Sequence, residues 1–302
     1  MTVVAYLVCA IIWSTTWFAI RVCIGPAGYP TFVAAALRFV LATAVLGALV
    51  VGGVARPGPV RWRERLAIAV AGTLNAVGYA LVYSAEERIS GGLAAVLYGT
   101  LPLFIAAFAY LSRTEQASPA AIAGSLISLG GIGLIYADRV AVSAVQGLGV
   151  VMVLGSVGLC AAYNVILKRH TSSVVHPLGT TALFLGSTAV IMSALAFSSP
   201  ASHLPWPPPP APTIALLYLG LVGSVLAFAT YFFLLKRVTL MTISTLVFIE
   251  PVLAMVIDAR WEPDETVRLG PRAYAGAAVV LLGVGVSLLW KRRTAAVPAT
   301  AG

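Results

Sequence analysis

The sequence predicts an all-α integral membrane protein of ten transmembrane helices, arranged as two inverted five-helix repeats. Three observations predict it. Of the 302 residues, 60% are hydrophobic and only 10% charged, where a soluble domain averages about 25% charged. The apolar residues fall into long runs separated by short polar connections. A proline inside an apolar run, with an acidic residue thirteen positions on, occurs twice: Pro102 with Glu115, and Pro251 with Asp264, 149 positions apart.

A helix rises 1.5 Å per residue, so about 20 apolar residues cross a hydrocarbon core of about 30 Å. Ten runs satisfy this: Val3–Ile24, Tyr29–Gly53, Leu66–Ala85, Gly91–Ser112, Ala120–Ala137, Gly147–Leu167, Pro177–Phe197, Thr213–Leu235, Met241–Ala259 and Ala273–Trp290. The first has no basic n-region, is too long for an h-region and is closed by Arg21, so it reads as a retained span and not as a signal peptide. The longest connection, Ser198 to Pro212, contains "PWPPPPAP", a stiff polyproline spacer.

The formal net charge is +9. Because the basic residues sit between apolar runs, they report topology and do not point to nucleic acid. With the N-terminus in the cytoplasm, twelve Lys and Arg residues fall on inner connections and six on outer ones, and Arg38 lies within a span. The expected location is the inner (cytoplasmic) cell membrane, multi-pass, with both termini cytoplasmic and the lipid bilayer as a partner. Cys9, Cys23 and Cys160 lie in apolar runs with no C-x-x-C, which reads as small buried side chains and not as disulfides or a zinc site. No cofactor is expected, and nothing in the sequence sets an oligomeric state.

With Pro102 set on Pro251, Arg88 falls on Arg237, Leu97 on Leu246 and Tyr79 on Phe228. After a three-residue insertion, Gly124, Gly131 and Gly133 fall on Gly276, Gly283 and Gly285, glycines that suit close helix approach. The chain therefore reads as a five-helix unit over 1–140 and a second over 146–293. Five spans is an odd number, so the second unit enters the membrane from the opposite side. Inverted repeats of this kind are a signature of secondary transporters.

The first half carries "IIWSTTWFAIR", "ALRFVLA", "GGLAAVLYGTLPLF" and "AAIAGSLISLGGIGLI". The second carries "CAAYNVILKR", "TLVFIEPVLAMVID" and "YAGAAVVLLGVGVSLL". In this order, twice over, the segments resemble the EamA type of the drug/metabolite transporter superfamily across nearly the whole chain. The resemblance implies ten spans, a central cavity, and export of amino acids, other metabolites or drugs. Two segments depart from it. "SAEERIS" (Ser84–Ser90) is acidic where that family is usually neutral, and "DETVRLGPRAYAG", from Asp264, is longer.

Candidate site residues follow from polar and aromatic groups at mid-span. Pro102 and Pro251 remove an N–H and kink their helices, freeing the carbonyls of Tyr98 and Val247. They line a polar cavity or simply bend a packed helix. Arg38 and Glu250 each lie nine residues into a span, roughly 13–14 Å deep at 1.5 Å per residue, where a charge is expensive unless shielded. Arg38 reads as an anchor for a substrate carboxylate, as half of an ion pair, or as a cap on backbone carbonyls. Glu250 reads as a partner for a substrate amine or a coupling proton, or as the other half of the pair. Trp13 and Trp17 share one helix face. With Tyr79, Tyr98, Tyr163, Tyr231 and Phe248 they form either a pocket for flat, apolar or cationic solutes or a packed core. Asn75 and Asn164 are cavity contacts or interhelical hydrogen bonds. Asp258 reads as interfacial.

No G-x-x-x-x-G-K-[ST] or H-E-x-x-H segment is present, so an ATP motor or metalloprotease within this chain is unsupported. The expected function is a secondary transporter that exports small organic metabolites (amino acids or related compounds, and drugs) by proton-coupled alternating access, and not an enzyme. The alternatives are an importer or antiporter of phosphorylated or nucleotide-linked metabolites, and a membrane enzyme.

Overall fold

The computed structural model describes residues 1–53, 60–89, 91–115, 118–136, 144–171, 176–200, 204–250, 252–253 and 271–294, and among these all regular structure is helical. Pro251, Asp258, Asp264 and Glu265 lie outside the described residues.

Helix α1 (Thr2–Ile24) ends where the chain turns at "GPAG": the Gly28 amide reaches Gly25 O at 2.7 Å and the Tyr29 amide reaches Cys23 O at 2.9 Å. A side chain at Gly28 would collide with the Cys23 carbonyl, so the turn needs glycine there. α2 (Thr31–Val51) starts after Pro30. α3 (Trp62–Glu86) is capped by Glu64, whose carboxylate accepts the Arg61 N–H at 3.0 Å.

The next run is not one kinked span. It divides into α4 (Gly91–Tyr98) and α5 (Leu101–Leu111), with a turn at Gly99 and Thr100 between them. Pro102 is the second residue of α5, where its missing N–H costs nothing. Thr100 closes the end of α4 by donating from both its amide and its hydroxyl to Leu97 O, at 3.0 and 2.7 Å. The expectation of a bend inside a continuous helix over Gly91–Ser112 is therefore corrected to a break.

α6 (Pro119–Tyr136), α7 (Ala144–His170) and α8 (Pro177–Ser198) follow. The span Pro210–Leu235 contains α9 (Pro210–Gly220), a wide π-helical stretch (Leu221–Leu226) and α10 (Ala227–Leu235). α11 (Leu240–Ser244) is capped by Thr239, and the chain is helical again over Leu246–Glu250 after a turn at Thr245. α12 (Pro271–Thr294) is the last helix. Six described helices are long and apolar enough to cross a membrane: Thr2–Ile24, Thr31–Val51, Trp62–Glu86, Gly147–His170, Pro177–Ser198 and Pro210–Leu235. Four shorter apolar helices accompany them: Leu101–Leu111, Pro119–Leu134, Leu240–Glu250 and Tyr274–Ser287.

The main packings join the first half of the chain to the second. α3 runs along α7 and α8, α2 along α8, α1 against α9 and α10, and α6 along α12. The last pair is held by glycine. Gly124 lies against Gly283 and Ser287, while Gly131 lies against Gly276 and Val280, so the two helices are antiparallel. A Cβ on Gly131 would stand 2.7 Å from the Gly276 carbonyl oxygen, and one on Gly283 would stand 2.5 Å from that of Gly124. Ser128 Oγ donates across the seam to Val280 O at 3.1 Å. Backbones this close are the reason small residues recur at membrane helix interfaces.

The ends of several helices are tied by charge. Lys168 Nζ, in the last turn of α7, donates to the carbonyls of Leu235 and Val238, each at 2.7 Å. These carbonyls lie at the C-terminal end of α10, where a cation is favoured. Glu115 stands 3.9 Å from Lys168 and accepts the Leu240 amide at 2.9 Å, at the start of α11.

Candidate functional site

A central cavity lies among α1, α3, α4, α5, α7, α10 and the segment Ile243–Glu250. It encloses about 790 Å³ of non-atom space, counting its open side. Its wall is built in facing layers. Trp13 and Trp17 stand one turn apart on α1, and both line it. Trp13 meets Tyr231 of α10 with ring centroids 5.0 Å apart and Phe228 at 5.7 Å. Trp17 meets Tyr98 of α4 edge-on at 5.3 Å.

Glu250 is the acid in this wall, 4% exposed, and its Oε2 accepts the indole N–H of Trp17 at 3.2 Å. The indole N–H of Trp13 is buried without a hydrogen-bond partner among the described residues. The cavity thus presents a carboxylate with spare acceptor capacity within an aromatic enclosure. That arrangement suits a small solute with an apolar body and a few polar groups.

The remaining polar groups are set by neighbours. Asn75 lines the cavity and donates to Thr188 Oγ1 at 3.1 Å. Thr188 in turn donates to Gly72 O at 2.9 Å, locking α3 to α8. Tyr98 OH shares a hydrogen bond of 2.6 Å with Ser156 Oγ. Tyr163 lines the wall and accepts from the Cys160 thiol at 3.2 Å.

Three expected residues stand behind the wall. Asn164 holds Tyr231 by accepting its hydroxyl proton, and donates to Cys160 O at 2.9 Å. Phe248 is fully buried and does not line the cavity. Arg38 is also fully buried, outside the wall. Its Nε donates to Ser224 Oγ at 2.9 Å, and its Nη2 reaches Gly223 O at 3.3 Å and Tyr79 OH at 3.5 Å. Nη1 reaches Tyr83 OH at 3.4 Å, and the guanidinium carbon lies 4.9 Å from the Tyr79 ring centroid and 5.1 Å from that of Phe39. Gly223 and Ser224 belong to the π-helical stretch, whose wide turn presents a carbonyl that a regular helix would keep to itself. Arg38 and Glu250 form no ion pair; Tyr79 stands between the arginine and the cavity.

The profile of the EamA-like transporter family matches residues 1–137 and again residues 147–289. The chain belongs to the EamA-like transporter family. It is a multi-pass membrane protein of transporter type. The inner membrane transporter YedA of Escherichia coli is 27% identical over 249 residues, covering 82% of this chain and 78% of that protein. A protein of Archaeoglobus fulgidus described as a transporter is 26% identical over 253 residues, covering 82% and 84%. One from Streptantibioticus cattleyicolor, named a probable terminal-alkyne amino-acid exporter, is 26% identical over 299 residues, covering 96% and 93%. A solved crystal structure superposes with a TM-score of 0.78 over 97% of this chain and 98% of the other at 21% identity, which shows a shared fold.

Within this EamA-like chain, sequence reasoning passed over several wall residues. Cys160 was expected to be a bland buried thiol, yet it lines the cavity beside Ser156, Ser244 and Thr16. A helical wheel through "WSTTW" places Thr16 near Trp13, but no pattern marks Ser244, which sits just before the turn at Thr245.

Proposed function

We propose that the chain is a proton-coupled exporter of amino acids or closely related small metabolites, built as two inverted five-span repeats. The observation that carries this reading is the Glu250 carboxylate, set in an aromatic cavity at the meeting of both halves and held by one indole N–H. An acid in that place serves as the proton-binding group or meets the solute's ammonium group, and the aromatic faces of Trp13, Trp17, Tyr79, Tyr98, Tyr163 and Tyr231 receive its apolar part.

The inverted arrangement is supported by reciprocity at the glycine seam. In the sequence alignment of the halves, Gly124 corresponds to Gly276 and Gly131 to Gly283; in the fold, Gly124 touches Gly283 and Gly131 touches Gly276. Such an exchange is what a two-fold axis between antiparallel helices produces. In a spanning pair that axis lies in the membrane plane, the arrangement associated with alternating access. The two halves then rock about the cavity, with solute entering from the cytoplasm, where both termini lie.

Amino acids are favoured as cargo by the similarity to the Streptantibioticus protein named a probable amino-acid exporter. Phosphorylated or nucleotide-linked cargo is disfavoured, because no lysine or arginine stands among the described residues of the wall and Arg38 is engaged behind it. The test is counterflow in proteoliposomes with a labelled amino-acid pool, against protein-free liposomes. Specific exchange supports the reading; exchange of phosphorylated solutes alone would replace it.

A further inference from the structure

One polar group of the central cavity has its orientation dictated by its neighbours. Thr188 Oγ1, on α8, lies 2.9 Å from Gly72 O and 3.0 Å from Phe184 O. A carbonyl only accepts, so the single hydroxyl proton of Thr188 is committed to these two. Its oxygen is then an acceptor toward Asn75, 3.1 Å away on α3, and only the NH2 end of that amide can stand there. The carbonyl end, Oδ1, points elsewhere. A side chain at Gly72 would collide with the Phe184 carbonyl, so α3 lies directly on α8 at this level and the amide is held against packed backbone. Asn75 lines the cavity, and its Oδ1 accepts no hydrogen bond among the described residues. Among those residues, the side-chain polar atoms that are both closed to water and unpartnered are Trp13 Nε1 and the Glu86 carboxylate oxygens. Asn75 Oδ1 is not one of them, so it is open, and the space before it is the cavity.

We propose that Asn75 is a specificity-determining residue of this cavity, whose amide oxygen accepts an N–H from the ammonium group of an amino acid with an apolar side chain. The assignment rests on reading the cavity as the solute site of an exporter. The chemistry selects the donor. A carbonyl oxygen fixed in place cannot donate, so it repels a carboxylate and favours an N–H. An ammonium group brings three N–H donors, so one that meets Glu250 keeps others to offer. Asn75 carries no charge, and its oxygen accepts whether or not Glu250 is ionised. A solute that fills the cavity without supplying a donor leaves this oxygen dehydrated and unmet, which is the situation that hydrogen-bonding sites reject most strongly. Because Thr188 fixes the amide before solute arrives, little ordering is left for binding to impose.

The test uses the purified full chain in detergent micelles. Binding of labelled leucine is read by equilibrium dialysis, with unlabelled leucine or N,N-dimethylleucine as competitor. Both competitors are zwitterions of the same charge, but the dimethyl form keeps one N–H in place of three. That one can meet Glu250, so the bond lost is the one to Asn75. The parent is expected to prefer leucine by about tenfold, the worth of a hydrogen bond to a charged donor. Asn75→Leu, of similar volume and without an acceptor, should bring the preference to about one. A preference set by methyl bulk would survive that substitution, and loss of the bond between α3 and α8 alone would lower the melting temperature without moving the ratio. Should Asn75→Leu not fold, Asn75→Ala, which also lacks the oxygen, takes its place. An unchanged preference in the variant would overturn the proposal. So would equal competition by the two forms in the parent, or failure of leucine to bind it. If counterflow fails while the variant abolishes the preference, the transport reading falls and this assignment stands; counterflow intact with an unmoved preference gives the reverse.

Discussion

The indole N–H of Trp17 donates to the carboxylate of Glu250 across 3.2 Å, joining the first helix to the helical turn after Thr245 at the wall of the central cavity. One residue comes from each half of the chain, so any rocking of the halves acts on this contact directly. A hydrogen bond to a charged group contributes about 1.5–3 kcal/mol, equivalent to roughly tenfold or more in an equilibrium. Trp17→Phe keeps an aromatic ring and removes the donor, and amino-acid counterflow is expected to fall about tenfold. Unchanged counterflow would show that this contact has no part in transport.

Arg38 is expected to behave as a structural residue. Its guanidinium joins α2 to the π-helical stretch through Ser224 and Gly223 and braces Tyr79 and Tyr83. Arg38→Lys cannot reproduce that fork and leaves buried acceptors unmet, at about 1–3 kcal/mol for each group. Thermal unfolding in detergent should drop for Arg38→Lys and by more for Arg38→Gln. Full stability with a raised KM for carboxylate-bearing solutes would instead make Arg38 a substrate anchor.

The glycine seam predicts a steric outcome. Gly131→Ala and Gly283→Ala each set a methyl group against a facing backbone carbonyl, which cannot rotate away. Overpacking of this kind costs about 1–3 kcal/mol. Gly130 and Gly133, with open space at the Cβ position, should accept alanine without loss. Comparing the four melting temperatures checks this; because alanine has the higher helix propensity, equal gains at all four would show that propensity and not contact governs the seam.

Lys168 caps two carbonyls at the end of α10. Lys168→Met removes both bonds and should lower stability by about 1–3 kcal/mol, with Lys168→Arg restoring part of it. Chemical denaturation of the three proteins decides; a Met variant as stable as the parent would mean that solvent replaces the lysine freely.

The long apolar runs were legible because composition and length alone select membrane helices, and α1, α2, α3, α7 and α8 lie where the runs lie. The close approach expected at Gly124, Gly131, Gly276 and Gly283 was legible for the same kind of reason, since close approach has one economical residue type, but Gly133 and Gly285, expected to share it, face open space. The break at Gly99 and Thr100 was not. Pro102 announces that the helix is disturbed, but whether a proline bends a helix or begins a new one depends on what the preceding turn can satisfy, here Thr100 against Leu97. The division of polar residues between wall and support was also hidden. Arg38 and Glu250 are equally deep by residue count, yet one faces the cavity and the other faces a π-helical turn whose widening no periodicity in "GLVGSVLAF" marks.

The central claim is that Glu250 couples solute export to protons. It is tested most directly in proteoliposomes by measuring amino-acid movement with and without an imposed pH gradient, for the parent chain and for Glu250→Gln. The account predicts that the gradient accelerates transport by the parent, and that Glu250→Gln keeps solute exchange but no longer responds to the gradient. Undiminished gradient-driven transport by Glu250→Gln would contradict it.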